Sequence, residues 1–164
     1  MKSKKIIIIC QAAMIAALYV VLTYVANMLG LANRDIQVRF SEALTILPFF
    51  TPAAIPGLTI GCFLSNILTQ CMPLDVLFGT LATFLGAVGT YALRRFKWLA
   101  PVPPIVANTL IVPWVLRIAY GIPAAIPYLM FTVGVGEVIS CGVLGMMLLH
   151  GVNKNGKNIF QVNN

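Results

Sequence analysis

Charge is scarce in this chain. Of its 164 residues only four are acidic, Asp35, Glu42, Asp75 and Glu137, and His150 is the single histidine. Charged residues make up 9% and hydrophobic residues 60%, and the mean hydropathy is +0.94. A soluble domain of this length needs far more polar surface, so the composition excludes one and indicates an integral membrane protein. The shortage of acids and histidine also argues against catalysis. There is no Ser/His/Asp set, no HExxH, no phosphate-cradling glycine loop and no pair of carboxylates at catalytic spacing. Without a Walker motif the chain cannot itself hydrolyse ATP, and no cofactor is expected in it. Cysteine is sparse too. Cys10, Cys62, Cys71 and Cys141 fall in or beside apolar runs with no CxxC spacing, which reads as small core residues rather than metal ligands.

What charge there is lies in order. The net charge of +7 comes largely from Lys2, Lys4 and Lys5 before the first apolar run, Arg94, Arg95 and Lys97 in one short gap, and Lys154 and Lys157 after the last run. That is the positive-inside pattern of a membrane protein rather than a nucleic-acid surface. A helix needs about 20 apolar residues to cross a bilayer. The expected fold is therefore all-α, a compact bundle of six transmembrane helices in a single domain. The spans are placed at about 6–30, 42–50, 55–69, 74–93, 101–120 and 124–150. Six crossings put both termini in the cytoplasm and the basic clusters on one face.

Proline and glycine mark the irregular places. Between Ala43 and Leu74 no charge occurs, which is too long for one span. Pro48, Pro52 and Pro56 break it, since proline removes a backbone donor and clashes with the preceding turn. The second span is expected to be short or kinked. Gly57 and Gly61 form a GxxxG in the third span, while Gly79, Gly86 and Gly89 thin one side of the fourth. In the first span Ala12 and Ala16, and Ala13 and Ala17, fall four apart. Such small residues permit close helix approach, either within the bundle or to a separate membrane protein.

Few polar residues are candidates for chemistry. Glu137 sits mid-span, where an ionisable group is costly unless it finds a partner and is a functional-site candidate by default. Arg117, near the outer end of the fifth span, could be that partner, in a structural pair or a functional one. Asn66, Asn108, Trp114, Tyr120 and Tyr128 are candidates for a pocket opening outward. Aromatic faces beside a carboxylate and amides suit a flat, hydrogen-bonding solute such as a nucleobase, though Trp114 and Tyr128 also fit interface anchors. Arg34 and Arg39 lie on the outer side, against the charge bias, either paired with Asp35 and Glu42 or functional. Asp75 follows Pro73 in the first turn of a helix, where capping alone would explain a carboxylate.

The run from Gln37 to Gly57, QVRFSEALTILPFFTPAAIPG, with Gly61–Asn66 (GCFLSN) and Asp75–Thr83 (DVLFGTLAT) after it, closely resembles the QueT family of queuosine-precursor transporters. These are substrate-binding S components of energy-coupling factor (ECF) transporters. The resemblance implies a six-helix S component of a bacterial plasma membrane that captures a deazapurine from outside. It also implies docking on a transmembrane coupling protein with two ATP-binding subunits, and delivery by toppling in the lipid bilayer. Small residues on the first helix form the docking face in such proteins, which carries over to Ala13 and Ala17 with Ala12 and Ala16 beside them. The loop before the second span commonly acts as a lid. For a deazaguanine base, Glu137 would accept from the ring N–H and exocyclic amine, Asn66 or Asn108 would serve the carbonyl, and Trp114 or Tyr128 would stack. Glu42 or Asp75 would meet a cationic amine on the substrate. Arg39, Glu42, Asn66 and Asp75 lie within the matching motif. The other reading is a small membrane scaffold whose polar residues act as internal glue.

Overall fold

In a computed structural model the structure describes residues 2–30 and 38–155. Arg34 and Asp35, most of the expected lid and the polar tail after residue 155 lie outside them. The described residues contain helices and no strand: α1 (Lys2–Met28), a 3-10 helix (Phe40–Phe49), α2 (Ala54–Leu68), α3 (Pro73–Ala92), α4 (Val102–Ala119) and α5 (Ile126–Glu137). A π-helical segment (Val138–Leu144) joins α5 to α6 (Gly145–Asn155) in one rod, and a single 3-10 turn, Lys97–Leu99, precedes α4. Each expected span therefore meets a helical element within a few residues of its ends.

Four of these elements are long and apolar enough to cross a membrane: Lys4–Met28, Pro73–Ala92, Lys97–Ala119 and Ile126–Lys154. The other two are apolar but shorter. At 2.0 Å per residue the 3-10 helix rises about 20 Å, and α2 rises about 22 Å at 1.5 Å per residue, against a hydrocarbon core of about 30 Å. The prolines account for the shortness, with Pro48 inside the 3-10 helix and Pro52 in the turn that follows it.

The 3-10 helix is the central strut. It packs against α1, α2, α3, α6 and the π segment, and Ser41, Glu42, Leu44, Thr45, Ile46, Leu47 and Pro48 are all buried. Ten residues is long for this geometry, whose runs seldom exceed three or four. With three residues per turn Glu42, Thr45 and Pro48 stack in line, and the Thr45 hydroxyl donates to the Glu42 carbonyl at 2.6 Å. Burial on several sides holds it in place of intrinsic helix preference.

Around this strut the α-helices pack in chain order, α1 on α2, α2 on α3, α3 on α4 and α4 on α5. Two of these seams depend on glycine. A Cβ at Gly57 would lie 2.7 Å from the Ala12 carbonyl oxygen, and one at Gly61 would lie 2.7 Å from the Tyr19 Cβ and 3.0 Å from the Ala16 carbonyl oxygen. On α3, a Cβ at Gly86 would lie 2.7 Å from the Pro104 Cα, and one at Gly89 would lie 2.5 Å from the Pro103 Cβ. The prolines at the start of α4 thus sit in notches cut by the α3 glycines.

The alanine stripe of α1 divides. Ala12 and Ala16 face α2 across Gly57 and Gly61, so they take part in packing within the bundle. Ala13 and Ala17 are exposed, on the least buried of the four long helices. The described basic clusters, Lys4 and Lys5, Arg94 to Lys97, and Lys154, all lie at the end of the bundle where α1 starts and α3 finishes. A deep cavity occupies the other end.

Candidate functional site

The cavity lies among the end of α1, the start of the 3-10 helix, the end of α2, the start of α3, the end of α4 and the start of α5. Its volume is about 620 Å³, within the range of small-molecule sites. Tyr19, Thr23 and Asn27 of α1 form one wall, Arg39 and Ser41 a second, and Asn66, Thr69, Gln70 and Cys71 with Asp75 a third. Tyr120, Tyr128, Leu129 and Thr132 close the remaining side.

Local geometry sets each wall. α2 ends through Gln70, which takes the left-handed φ of 57° and lets the Cys71 N–H return to the Asn66 carbonyl at 2.9 Å. This is a helix-terminating motif usually left to glycine, and it fixes Asn66 in the last full turn. The Asn66 side chain is buried, and its Nδ2 lies 3.6 Å from the Cys62 sulfur. On the facing helix, Gly79 leaves room for both Asn66 and Asp75, since a Cβ there would lie 3.3 Å from the Asn66 Nδ2 and 3.2 Å from the Asp75 Oδ1.

Asp75 holds the first-turn position of α3 that suits the helix dipole but makes no capping hydrogen bond. Met72 is the N-cap of α3 and no side chain caps that helix. The Asp75 Oδ2 instead accepts from the Tyr120 hydroxyl at 2.9 Å, and the Tyr120 oxygen accepts from the Met72 N–H at 3.3 Å. Tyr120 lies just past the end of α4, and burial with the nearby Asp75 carboxylate pushes its phenol above the ordinary value. It is therefore held as a donor to Asp75. The other oxygen, Asp75 Oδ1, is buried and accepts no hydrogen bond from the described residues.

Behind the cavity wall lies a second acidic centre. Glu137, one turn beyond the lining residue Val133, is 7% exposed, and Glu42, next to the lining residue Ser41, is 1% exposed. Glu42, Glu137 and Cys141 bring their ligand atoms within 4.8 Å of one another. Tyr19 donates its hydroxyl to the Glu42 Oε1. The Cys141 thiol lies 3.2 Å from the Glu137 Oε2 and 3.4 Å from the Glu42 carbonyl oxygen. The Ser140 hydroxyl accepts from the Arg39 N–H at 3.1 Å. Arg39 supplies the positive charge that Glu42, Glu137 and Asp75 all feel. Ser41 Oγ is buried without a hydrogen-bond partner among the described residues, and the Asn108 amide stands beside both the Glu42 and the Glu137 carboxylates. Two unusual helices converge here, with Glu42 on the 3-10 helix, and Glu137 and Cys141 where α5 passes into the π segment. Single-turn π bulges are frequent at functional sites.

The candidate residues sort clearly. Arg39, Asn66, Asp75 and Tyr128 line the cavity, and Glu42, Glu137 and Asn108 are buried, the two carboxylates directly behind its wall. Arg117 does not partner Glu137. It is exposed and donates to the Ala124 carbonyl at 3.4 Å, because Leu116 takes the inward position and one residue along a helix turns about 100° away. Trp114 is 51% exposed and is not part of the cavity. Tyr19 and Cys141 are the additions that sequence reasoning missed. A lone tyrosine in an apolar span and a lone cysteine carry no spacing signal, and only the fold brings them to the carboxylates.

Comparison with known proteins bears on the family. Over 98 residues the chain is 38% identical to a protein of Lactococcus lactis subsp. cremoris (strain MG1363) named queuosine precursor transporter QueT, covering 59% of this chain and 57% of that protein. The match thus spans little more than half the relative's length. No solved structure matches the chain. The family profile described as QueT transporter matches residues 9–154, nearly the whole chain, and the chain belongs to the QueT transporter family.

Proposed function

We propose that this chain is the substrate-binding S component of an ECF transporter, and that it captures a queuosine precursor of the 7-deazaguanine type from outside the cell. The observation that carries the reading is a pair of buried polar atoms with no hydrogen-bond partner among the described residues, Ser41 Oγ and Asp75 Oδ1, in side chains that line one cavity, with Glu42, Glu137 and Asn108 buried close by. A finished hydrophobic core leaves few such atoms, and each costs about 1–3 kcal/mol while unsatisfied. A planar base edge rich in N–H donors and a carbonyl complements them. Tyr19 and Cys141 donate to Glu42 and Glu137 in this form, taking the acceptor positions that ring N–H and amine groups would use. Substrate exchanges these internal donors for its own. Asn66 or Asn108 serves the base carbonyl, and Tyr128, half exposed at the rim, stacks on the ring.

All six helical segments then lie in the bacterial plasma membrane, with both termini and the basic end in the cytoplasm and the cavity facing outward. Arg94 over the Tyr91 ring at 4.2 Å and exposed Trp98 suit the cytoplasmic interface. α1 offers the docking surface, through its exposed Ala13 and Ala17, for the transmembrane coupling protein. The two ATP-binding subunits of that module supply the energy for toppling.

Titrating purified protein with queuine, its aminomethyl and cyano precursors, and common vitamins tests the reading. Micromolar or tighter binding of a deazaguanine supports it. Binding only of another vitamin reassigns the substrate, and no binding at all favours a scaffold role. Co-purification with ATP-binding subunits tests the transporter assembly.

A further inference from the structure

Two uncharged amides, Asn27 and Gln70, line the outer end of the cavity. Gln70 stands out by its backbone. Among the described residues it is the one non-glycine with a positive φ, at 57°. The chain reverses there at the end of α2, with the Gln70 N–H on the Ile67 carbonyl and the Cys71 N–H on the Asn66 carbonyl. Glycine takes this conformation freely, whereas a residue with a side chain is strained in it. Ending the helix therefore accounts for the turn but not for a glutamine at its apex. Strained residues of this kind gather at ligand-binding positions.

The hydroxyls beside these amides are already committed. Thr23 donates to the Tyr19 carbonyl at 2.9 Å, and Thr69 donates to the Ser65 carbonyl at 2.7 Å. The Asn27 and Gln70 side chains make no hydrogen bond among the described residues. Gln70 is exposed and Asn27 half-buried, so both are open to a ligand. The contacts of Gly57 with Ala12 and of Gly61 with Ala16 show that α1 and α2 run side by side in one direction, which brings their outer ends to one level. Asn27 lies about two turns beyond Tyr19, the residue that touches Glu42, and so about 12 Å farther along α1. A fused bicyclic base held at Glu42 and Glu137 does not extend that far, but a substituent on it does.

We propose that Asn27 and Gln70 form a rim subsite that reads a neutral, hydroxyl-bearing substituent of the ligand. The proposal rests on the deazaguanine reading above and adds the class of group that the ligand carries beyond its base. An amide and a hydroxyl each donate and accept, so either can pair with the other in both senses. Thr23, Asn27, Thr69 and Gln70 are all uncharged, and selection at this level works by hydrogen bonding rather than by charge.

The test compares queuine with the aminomethyl form of the base. Both carry the deazaguanine ring and an aminomethyl nitrogen, and queuine adds a cyclopentene ring with two hydroxyls. Wild-type protein is expected to bind queuine about threefold to tenfold more tightly, the range of one net hydrogen bond. Gln70→Gly should bring that ratio toward one, and so should Asn27→Ala. Gln70→Gly has a second readout, because relief of the left-handed strain should hold or raise the unfolding midpoint in denaturant while queuine selectivity falls. Equal wild-type affinities, or a ratio unchanged in either variant, overturn the proposal and leave the deazaguanine reading intact. Equal weakening of both ligands, or a lowered midpoint in Gln70→Gly, also overturns it, since these residues would then serve the local structure alone. Failure of wild type to bind either ligand sinks the deazaguanine reading, and this proposal with it.

Discussion

Replacing Gly61 by alanine tests how the α1–α2 seam supports the site. The added Cβ would lie 2.7 Å from the Tyr19 Cβ, 3.0 Å from the Ala16 carbonyl oxygen and 3.1 Å from the Ala16 Cα. These are backbone and Cβ atoms with no freedom to swing aside, so the helices must part. Overpacking of this kind costs about 1–3 kcal/mol. Alanine regains roughly 0.8–1.0 kcal/mol of helix propensity over glycine, leaving a net loss of up to about 2 kcal/mol. The control is Gly151→Ala, on α6, where nothing lies within 4 Å of the new Cβ. There only the propensity gain remains, so two identical substitutions should shift stability in opposite directions. Denaturant unfolding in mixed micelles measures both. Gly61→Ala should also weaken ligand binding, because Tyr19 carries the hydroxyl that contacts Glu42. If Gly61→Ala proves as stable as the wild type, or more so, the close seam described here is wrong.

Other outcomes follow from the same geometry. Tyr19→Phe removes the hydroxyl that donates to the Glu42 Oε1 and should lower stability by about 1–3 kcal/mol, with part of the loss recovered when ligand is added during the unfolding measurement. Arg117→Ala should bind ligand as the wild type does, since Arg117 is exposed and outside the cavity; a tenfold loss in titration would place it in the site after all. Ala13→Trp should fold and bind ligand yet fail to co-purify with the ATP-binding subunits. Ala16→Trp, pressed against Gly61, should instead lower yield and stability.

Much of this arrangement was legible in the residues. The prolines at 48, 52 and 56 implied short, broken segments between α1 and α3, and those segments are a 3-10 helix and a 15-residue α2. Glu137 stood out because a carboxylate deep in an apolar run needs a reason, and it lies with Glu42 and Cys141 behind the cavity wall. Gly57 and Gly61 announced a close helix contact, but its partner could not be read from α2 alone. The same limit applied to the alanines: a spacing of four places two stripes side by side, and only the rotation of α1 decides that Ala12 and Ala16 turn inward. Arg117 was misassigned for a similar reason. Its depth in the chain suited Glu137, yet its azimuth on α4 did not. The Tyr19–Glu42 contact joins residues 23 apart, and the Cys141 thiol reaches back 99 positions to the Glu42 carbonyl. Contacts of that range have no local signature.

The account stands most directly on whether the buried Glu42–Glu137 pair reads the base. Isothermal titration of the purified protein with a deazaguanine precursor should show micromolar or tighter binding. Glu137→Gln, which keeps the shape but replaces one acceptor oxygen with a donor, should weaken it at least tenfold, about 1.4 kcal/mol. Unchanged affinity in that variant would contradict the central claim.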